Sequence, residues 1–147
     1  PVYGDGQQVR DWLYVEDHCE AIRLVLQRGR VGETYAIGGD NQPANLEIVR
    51  TICRVMDELQ PASPHSPHEQ LIQFVADRPG HDRRYSMDIG KIRSELDWQP
   101  RRSLADGLRE TVEWYLDHPN WVEAVSQQPA YQDWLERNYA RRSGGVK

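Results

Sequence analysis

Residues 12–37 read as strand, helix, strand, and that order limits what the whole chain can become. Trp12-Leu13-Tyr14-Val15 is a short apolar run of strand-forming residues. Asp17 then offers an N-cap for a helix to about Arg28, with Ala21, Ile22, Val25 and Leu26 at helical spacing and Gly29 as a left-handed stop. Thr34-Tyr35-Ala36-Ile37 reads as a second strand, closed by Gly38-Gly39. Strand, helix and strand joined by short links form an α/β unit. A lone pair of parallel strands is not a stable sheet, so this front portion demands further strands beside it. The alternative is a compact α+β domain that stands alone.

Beyond residue 44 the pattern is mostly helical. Asn45 is placed to cap a helix whose face is Leu46, Val49, Ile52, Val55, Met56 and Leu59. Pro61, Pro64 and Pro67 end it in a loop that also holds His65 and His68. Leu71 to Val75 is an apolar run that reads as a strand. Asp88 is expected to cap Ile89, Ile92 and Leu96, and Ser103 to cap Leu104, Leu108, Val112, Tyr115 and Leu116. Short helices are expected around Trp121–Val125 and Tyr131–Tyr139, before a basic tail.

The chain of 147 residues carries a formal net charge of -5, with a mean hydropathy of -0.80. An acidic balance argues against a general nucleic-acid binder. No stretch approaches the roughly 18 apolar residues of a membrane span, and no signal peptide is evident. Cys19 and Cys53 are the only cysteines and both fall in expected helices, which fits reduced, partly buried thiols of a cytoplasmic protein. The chain starts at Pro1, without methionine and directly in strand-like sequence, so the expectation is a piece of a longer polypeptide.

Chemistry concentrates in Ala76-Asp77-Arg78-Pro79-Gly80-His81-Asp82-Arg83-Arg84-Tyr85. Three arginines, a histidine and two aspartates surround one Pro-Gly turn, and that turn excludes a helix or a central strand. Guanidinium forks match phosphate oxygens bidentately, so a rigid Arg-rich loop suits a pyrophosphate. A surface loop of self-paired Arg and Asp is the competing account. His65 and His68 lack accompanying metal ligands, so no metal site is expected there. The tryptophans at 98, 114, 121 and 134 are expected to pack between helices.

The stretch Arg10-Asp11-Trp12-Leu13-Tyr14-Val15-Glu16-Asp17-His18 resembles the corresponding segment of extended short-chain dehydrogenase/reductases acting on nucleotide sugars. Its wording is similar to that of the dTDP-glucose 4,6-dehydratase branch. Pro1-Val2-Tyr3-Gly4, Gly32-Glu33-Thr34-Tyr35, Ile37-Gly38-Gly39, residues 76–85 and Thr111-Val112-Glu113-Trp114-Tyr115-Leu116 agree with it in order. The resemblance implies the end of a Rossmann-type parallel sheet, with its last strand-helix-strand elements in residues 1–45. A smaller, mostly helical lobe that binds the nucleotide sugar would span 46–147. It places Pro1 and Tyr3 near the nucleotide base, and Arg10, Asn45 and Arg78 at the diphosphate and adjoining sugar. His81 would line the nucleotide pocket and Tyr131 would close over it. The Pro61-to-Gln70 loop looks longer than the family carries.

Each position has a plainer role open to it. Arg10 could pair with Asp11 or Asp17, Asn45 could be only a cap, His81 an exposed loop histidine, and Tyr3 simple strand packing. The family reaction also needs groups the sequence lacks. No Gly-x-x-Gly-x-x-Gly opens a helix, and neither Lys91 nor Lys147 lies four residues after a tyrosine. The resemblance therefore implies a substrate-binding portion with no catalytic residues of its own. NAD would be bound by an amino-terminal domain outside it, the partner would be a dTDP-sugar, and the whole enzyme would be a homodimer in the cytoplasm. A sister epimerase or decarboxylase, or a non-catalytic nucleotide-sugar binding module, are the other readings.

Overall fold

A computed structural model describes residues 1–139, with side chains through 137. The elements are β1 (Val2–Tyr3), α1 (Val15–Arg28), α2 (Asn45–Leu59), a 3-10 turn (His68–Leu71), β2 (Phe74–Val75), α3 (Gly90–Leu96), α4 (Leu104–Asp117), α5 (Pro119–Ser126) and α6 (Pro129–Tyr139). β1 and β2 pair in parallel, Val2 opposite Phe74 and Tyr3 opposite Val75. This is a partial α/β architecture, helix-dominated around a very small parallel sheet. Among the described residues, no helix is long and apolar enough to cross a membrane.

The sheet is not the one the sequence suggested. Trp12–Val15 and Thr34–Ile37 are not paired as strands, and Val15 already opens α1. A strand exists only by pairing, and among the described residues these two segments find no neighbouring ladder. Their apolar side chains are used all the same. Leu13, Tyr35 and Ile37 pack against a core of Ala21, Ile89, Ile92, Leu96 and Trp98, which joins α1 to α3. The expected strand at Leu71–Val75 is half 3-10 turn, and only Phe74–Val75 extends along β1.

Helix ends needed similar correction. Asp17 does not cap α1, because Tyr14 holds that position. Asp17 is buried instead, and one carboxylate oxygen accepts the backbone N–H groups of Arg101 (3.1 Å) and Arg102 (3.0 Å), tying α1 to the start of α4. Gly29 is extended rather than left-handed. It is small for a different reason, since a Cβ there would sit 2.5 Å from the Val25 carbonyl oxygen. Ser103 caps α4 as expected: its hydroxyl accepts the Asp106 N–H (3.1 Å) and donates to that residue's carboxylate (2.6 Å). Ile89, not the expected Asp88, holds the cap position of α3, although Asp88 still accepts the Gly90 N–H at 2.7 Å.

α2 packs on α4 and on the 3-10 turn, burying Leu46, Ile48 and Val55, with Val112 buried on α4. Trp98 is buried, while Trp114, Trp121 and Trp134 are each about half exposed. Trp114 stacks on His118 with ring centres 4.3 Å apart and meets Trp121 edge-on at 5.2 Å. Cys53 is half-buried and Cys19 is exposed, and both are free. The basic tail lies outside the described residues.

Candidate functional site

The β1–β2 ladder brings the chain start against the Arg-rich loop. The Val2 N–H donates to Gln73 O (2.7 Å) and the Gly4 N–H to Val75 O (3.0 Å), so the 4–6 turn lies beside residues 76–78. Gly4 has φ +57, and a Cβ there would fall 2.7 Å from Asp77 Oδ2. Both the backbone angle and the close carboxylate require glycine.

Asp77 is the hub of this corner. Its Oδ1 accepts the Arg78 N–H (2.8 Å) and the His81 ring Nδ1 (2.6 Å), and its Oδ2 accepts the Gln8 side-chain amide (2.9 Å). The His81 ring above all, then the Arg78 amide, holds the Asp77 carboxyl below the usual carboxylate range. His81 is not an exposed loop histidine, because its side chain is only 4% exposed. The Tyr3 ring meets His81 edge-on, with centres 6.3 Å apart, and the Arg78 guanidinium lies 5.7 Å over the Tyr3 ring. The structure thus brings Tyr3, Arg78 and His81 together, with Pro1 exposed one residue from β1.

The next segment links this corner to α2. The Val9 N–H donates to Arg83 O (2.8 Å), and Val9 O accepts the Tyr85 N–H (3.0 Å). On the other side, the Asn45 N–H donates to Gln8 O (2.9 Å) and the Leu46 N–H to Gly6 O (2.9 Å). Residues 6–10 are therefore threaded between the start of α2 and the end of the Arg-rich loop. Asn45 is the first residue of α2 rather than its cap, which is Ala44. The Asn45 side-chain oxygen is buried and makes no hydrogen bond among the described residues.

Arg10 pairs with neither aspartate near it. Asp11 accepts the Gly39 N–H (2.7 Å) and the Met87 N–H (3.0 Å), while Asp17 is spent on residues 101 and 102. The Arg10 guanidinium donates to Val9 O (2.6 Å) and lies 4.5 Å over the Tyr85 ring. The Tyr85 hydroxyl donates to the Asp82 carboxylate, which raises its pKa, while Arg10 and Arg78 both pull that pKa down. The two cations therefore act on one phenol. Among the described residues, neither Arg10 nor Arg78 forms an ion pair, whereas Arg83 is held by Asp5 at 2.9 Å. Arg83 is paired with Asp5 from outside the loop and Arg84 donates to the Gln42 side chain, so self-pairing within the loop accounts for neither, and Arg10 and Arg78 have no carboxylate partner among the described residues.

Tyr131 is not brought into this cluster, since it lies on α6 and stacks on Trp134 of the same helix. Gln8 and Asp77 were not singled out from sequence as site residues, yet they organise the corner. A separate cavity of about 630 Å³ lies along α4, lined by Trp12, Tyr14, Arg102, Leu108, Glu110 and Trp114 among others. Its walls are mainly apolar and its Arg102 is neutralised by Glu110 at 3.1 Å, so an anion is better served by the Arg10–Arg78 corner.

His68, in the proline-rich loop, is buried and bonded rather than ligating. Its Nδ1 lies 2.6 Å from Asp57 Oδ1 and its Nε2 lies 3.3 Å from the Ser63 hydroxyl. Among the described residues, no group of three or more His, Cys, Asp or Glu is arranged to hold a metal ion. The His68 ring holds the Asp57 carboxyl below its usual range. A depressed folded-state pKa adds stability above the unfolded value, about 3.9, that is lost as pH falls through the folded value. His68→Phe should therefore melt below the parent near neutrality, and the gap should close below about pH 4. Thermal melts of both chains across that range check it.

These elements and this corner define a class. The chain belongs to the family described as GDP-mannose 4,6 dehydratase, whose model matches residues 1–111. Within it, the chain is 51% identical to the dTDP-glucose 4,6-dehydratase of Salmonella typhimurium over 142 residues, 97% of this chain and 38% of that protein. It is 53% identical to the enzyme of the same name from Xanthomonas campestris over 125 residues, 85% of this chain and 36% of that one. The chain thus spans somewhat over a third of the length of these curated relatives.

Solved structures agree. The dTDP-glucose 4,6-dehydratase of Bacillus anthracis in complex with NAD superposes with a TM-score of 0.68 at 45% identity, covering 82% of this chain and 35% of that one. A double mutant of the Streptomyces venezuelae dTDP-glucose 4,6-dehydratase, solved with NAD bound, gives the same TM-score, 0.68, and identity, 45%, over 82% of this chain and 35% of that one.

The described residues offer no seat for NAD. A dinucleotide cradle needs a strand whose glycine turn opens directly into a helix. Here Gly4 and Gly6 follow β1, but the chain then runs between α2 and the Arg-rich loop, and the next helix starts only at Val15.

Proposed function

We propose that this chain is the nucleotide-sugar-binding portion of an NAD-dependent dTDP-glucose 4,6-dehydratase, which converts dTDP-glucose to dTDP-4-keto-6-deoxyglucose. The observation that carries the reading is that Arg10, over the Tyr85 ring, and Arg78, over the Tyr3 ring that meets His81, both lack a carboxylate partner among the described residues. Two uncommitted guanidinium groups beside an aromatic ring form a receptor for a diphosphate joined to a base. In this reading Pro1 and Tyr3 face the base, Arg10, Asn45 and Arg78 hold the diphosphate and adjoining sugar, and His81 lines the pocket. Tyr131, which lies on α6 outside the cluster in this structure, would move in to close over the bound nucleotide.

NAD and the groups that move protons belong to residues outside this chain, in an amino-terminal domain, and the complete enzyme works as a cytoplasmic homodimer. The 147 residues alone bind but do not dehydrate.

Calorimetric titration with thymidine, uridine and guanosine diphosphates tests the binding role. The thymidine form should bind tightest. A clear preference for the uridine form would move the assignment to an epimerase or decarboxylase of the same fold. Incubating the chain alone with dTDP-glucose and NAD should yield no keto sugar, and its appearance would overturn the division of labour.

A further inference from the structure

Gln8 is only 2% exposed, an unusual place for a primary amide, and it holds both halves of the candidate site. Its backbone carbonyl accepts the Asn45 N–H (2.9 Å), which fixes the start of α2. Its side-chain Nε2 donates to Asp77 Oδ2 (2.9 Å), which fixes the Arg-rich loop. The other Asp77 oxygen accepts the Arg78 N–H and the His81 Nδ1, so the chain of bonds from Gln8 ends on two of the residues assigned to the nucleotide.

The orientation of the amide follows from charge. An ionised Asp77 only accepts, so the NH₂ group of Gln8 must face it and Oε1 must point away. That Oε1 is buried and makes no hydrogen bond among the described residues. A buried unpaired carbonyl is a cost, offset here by the bond to Asp77. The same logic fixes His81: facing a carboxylate, its Nδ1 carries the proton, and the ring is held with Nε2 on the opposite side.

We infer that Gln8 is a positioning residue for nucleotide recognition, setting the spacing between the α2 start and the 77–81 loop and, through Asp77, the orientation of His81. This rests on the nucleotide-binding reading above. Gln8 touches the ligand at no point in the scheme; it acts through Asp77.

The test uses the full polypeptide encoded by the gene, with thymidine diphosphate as the probe. Gln8→Met keeps side-chain length and removes the donor. It should weaken thymidine diphosphate binding about tenfold and add nothing further in an Asp77→Ala background, since both variants break the same link. Without ligand, the ¹⁵N imidazole resonances of His81 should shift in Gln8→Met, reporting a ring no longer held in one tautomer.

Gln8→Glu gives an independent reading. Two carboxylates face each other near neutrality, so affinity relative to the parent should be poor there. It should recover toward about pH 5, where a protonated Glu can again donate to Asp77.

A merely structural Gln8 would lower the melting temperature, leave the His81 resonances and the pH profile unmoved, and weaken binding additively with Asp77→Ala. That pattern overturns the inference. If the parent fails to bind thymidine diphosphate, the nucleotide reading falls, and the ligand-free His81 resonances still decide whether Gln8 positions the ring.

Discussion

Gly39→Ala should destabilise the chain by about 3 kcal/mol or more, at the upper end of what overpacking costs. A Cβ at residue 39 would lie 1.7 Å from the Trp12 carbonyl oxygen and 2.6 Å from its carbon, so backbone rather than a flexible side chain must yield. The neighbourhood has no slack. The Gly39 N–H is bonded to Asp11 Oδ1, and a Cβ at Gly38 would meet Asp11 Oδ2 and the Met87 Cβ, both at 2.7 Å. Moving residue 39 away therefore also breaks the bonds by which Asp11 joins residues 39 and 87. Urea unfolding of parent and variant measures the effect. Gly32→Ala is the comparison, because a Cβ there meets nothing within 4 Å and the cost is limited to its φ of +83. That strain is worth about 1 kcal/mol. Equal midpoints for Gly39→Ala and the parent would mean that the 12–13 and 38–39 segments are not held at this approach.

The second large effect concerns binding. Arg10→Ala combined with Arg78→Ala should weaken thymidine diphosphate by on the order of a hundredfold or more, given about 1.5–3 kcal/mol for each charge-assisted hydrogen bond. Stability should change little, because among the described residues neither side chain holds an ion pair. Arg83→Ala should have a small effect on binding, since Asp5 already engages that guanidinium at 2.9 and 3.1 Å. Calorimetry on the three chains separates the cases. Comparable losses from Arg83→Ala and from the double variant would indicate a diffuse basic surface rather than a diphosphate clamp.

The part of the site legible in the sequence was the loop around Pro79-Gly80, because a rigid turn with clustered arginines has few uses. Which arginines are uncommitted was not legible, for Asp5, Asp11 and Asp17 each find their partners through the fold. Asp5 takes Arg83 across 78 positions, and Asp17 takes the Arg102 amide across 85. The α4 cap was readable from Ser103 and Asp106, since capping is local chemistry. The strands at 12–15 and 34–37 were misread for the opposite reason. Apolar β-branched and aromatic residues signal a half-buried extended segment, and whether it pairs depends on what lies beside it. Gln8 gave no signal at all, as nothing local distinguishes a surface glutamine from one bonded 69 residues away.

The smallness of the β1–β2 ladder has a consequence for how binding competence arises. The corner draws on residues 3–11, 45 and 77–85, and its ladder offers only two residue pairs to close that span. Helices form early because their contacts are near in sequence, whereas closing a loop of this length must be compensated by a few distant bonds. The candidate site therefore matures last. Protection of the Val9 and Tyr85 amides from exchange would mark the moment when a folding chain becomes one that can bind.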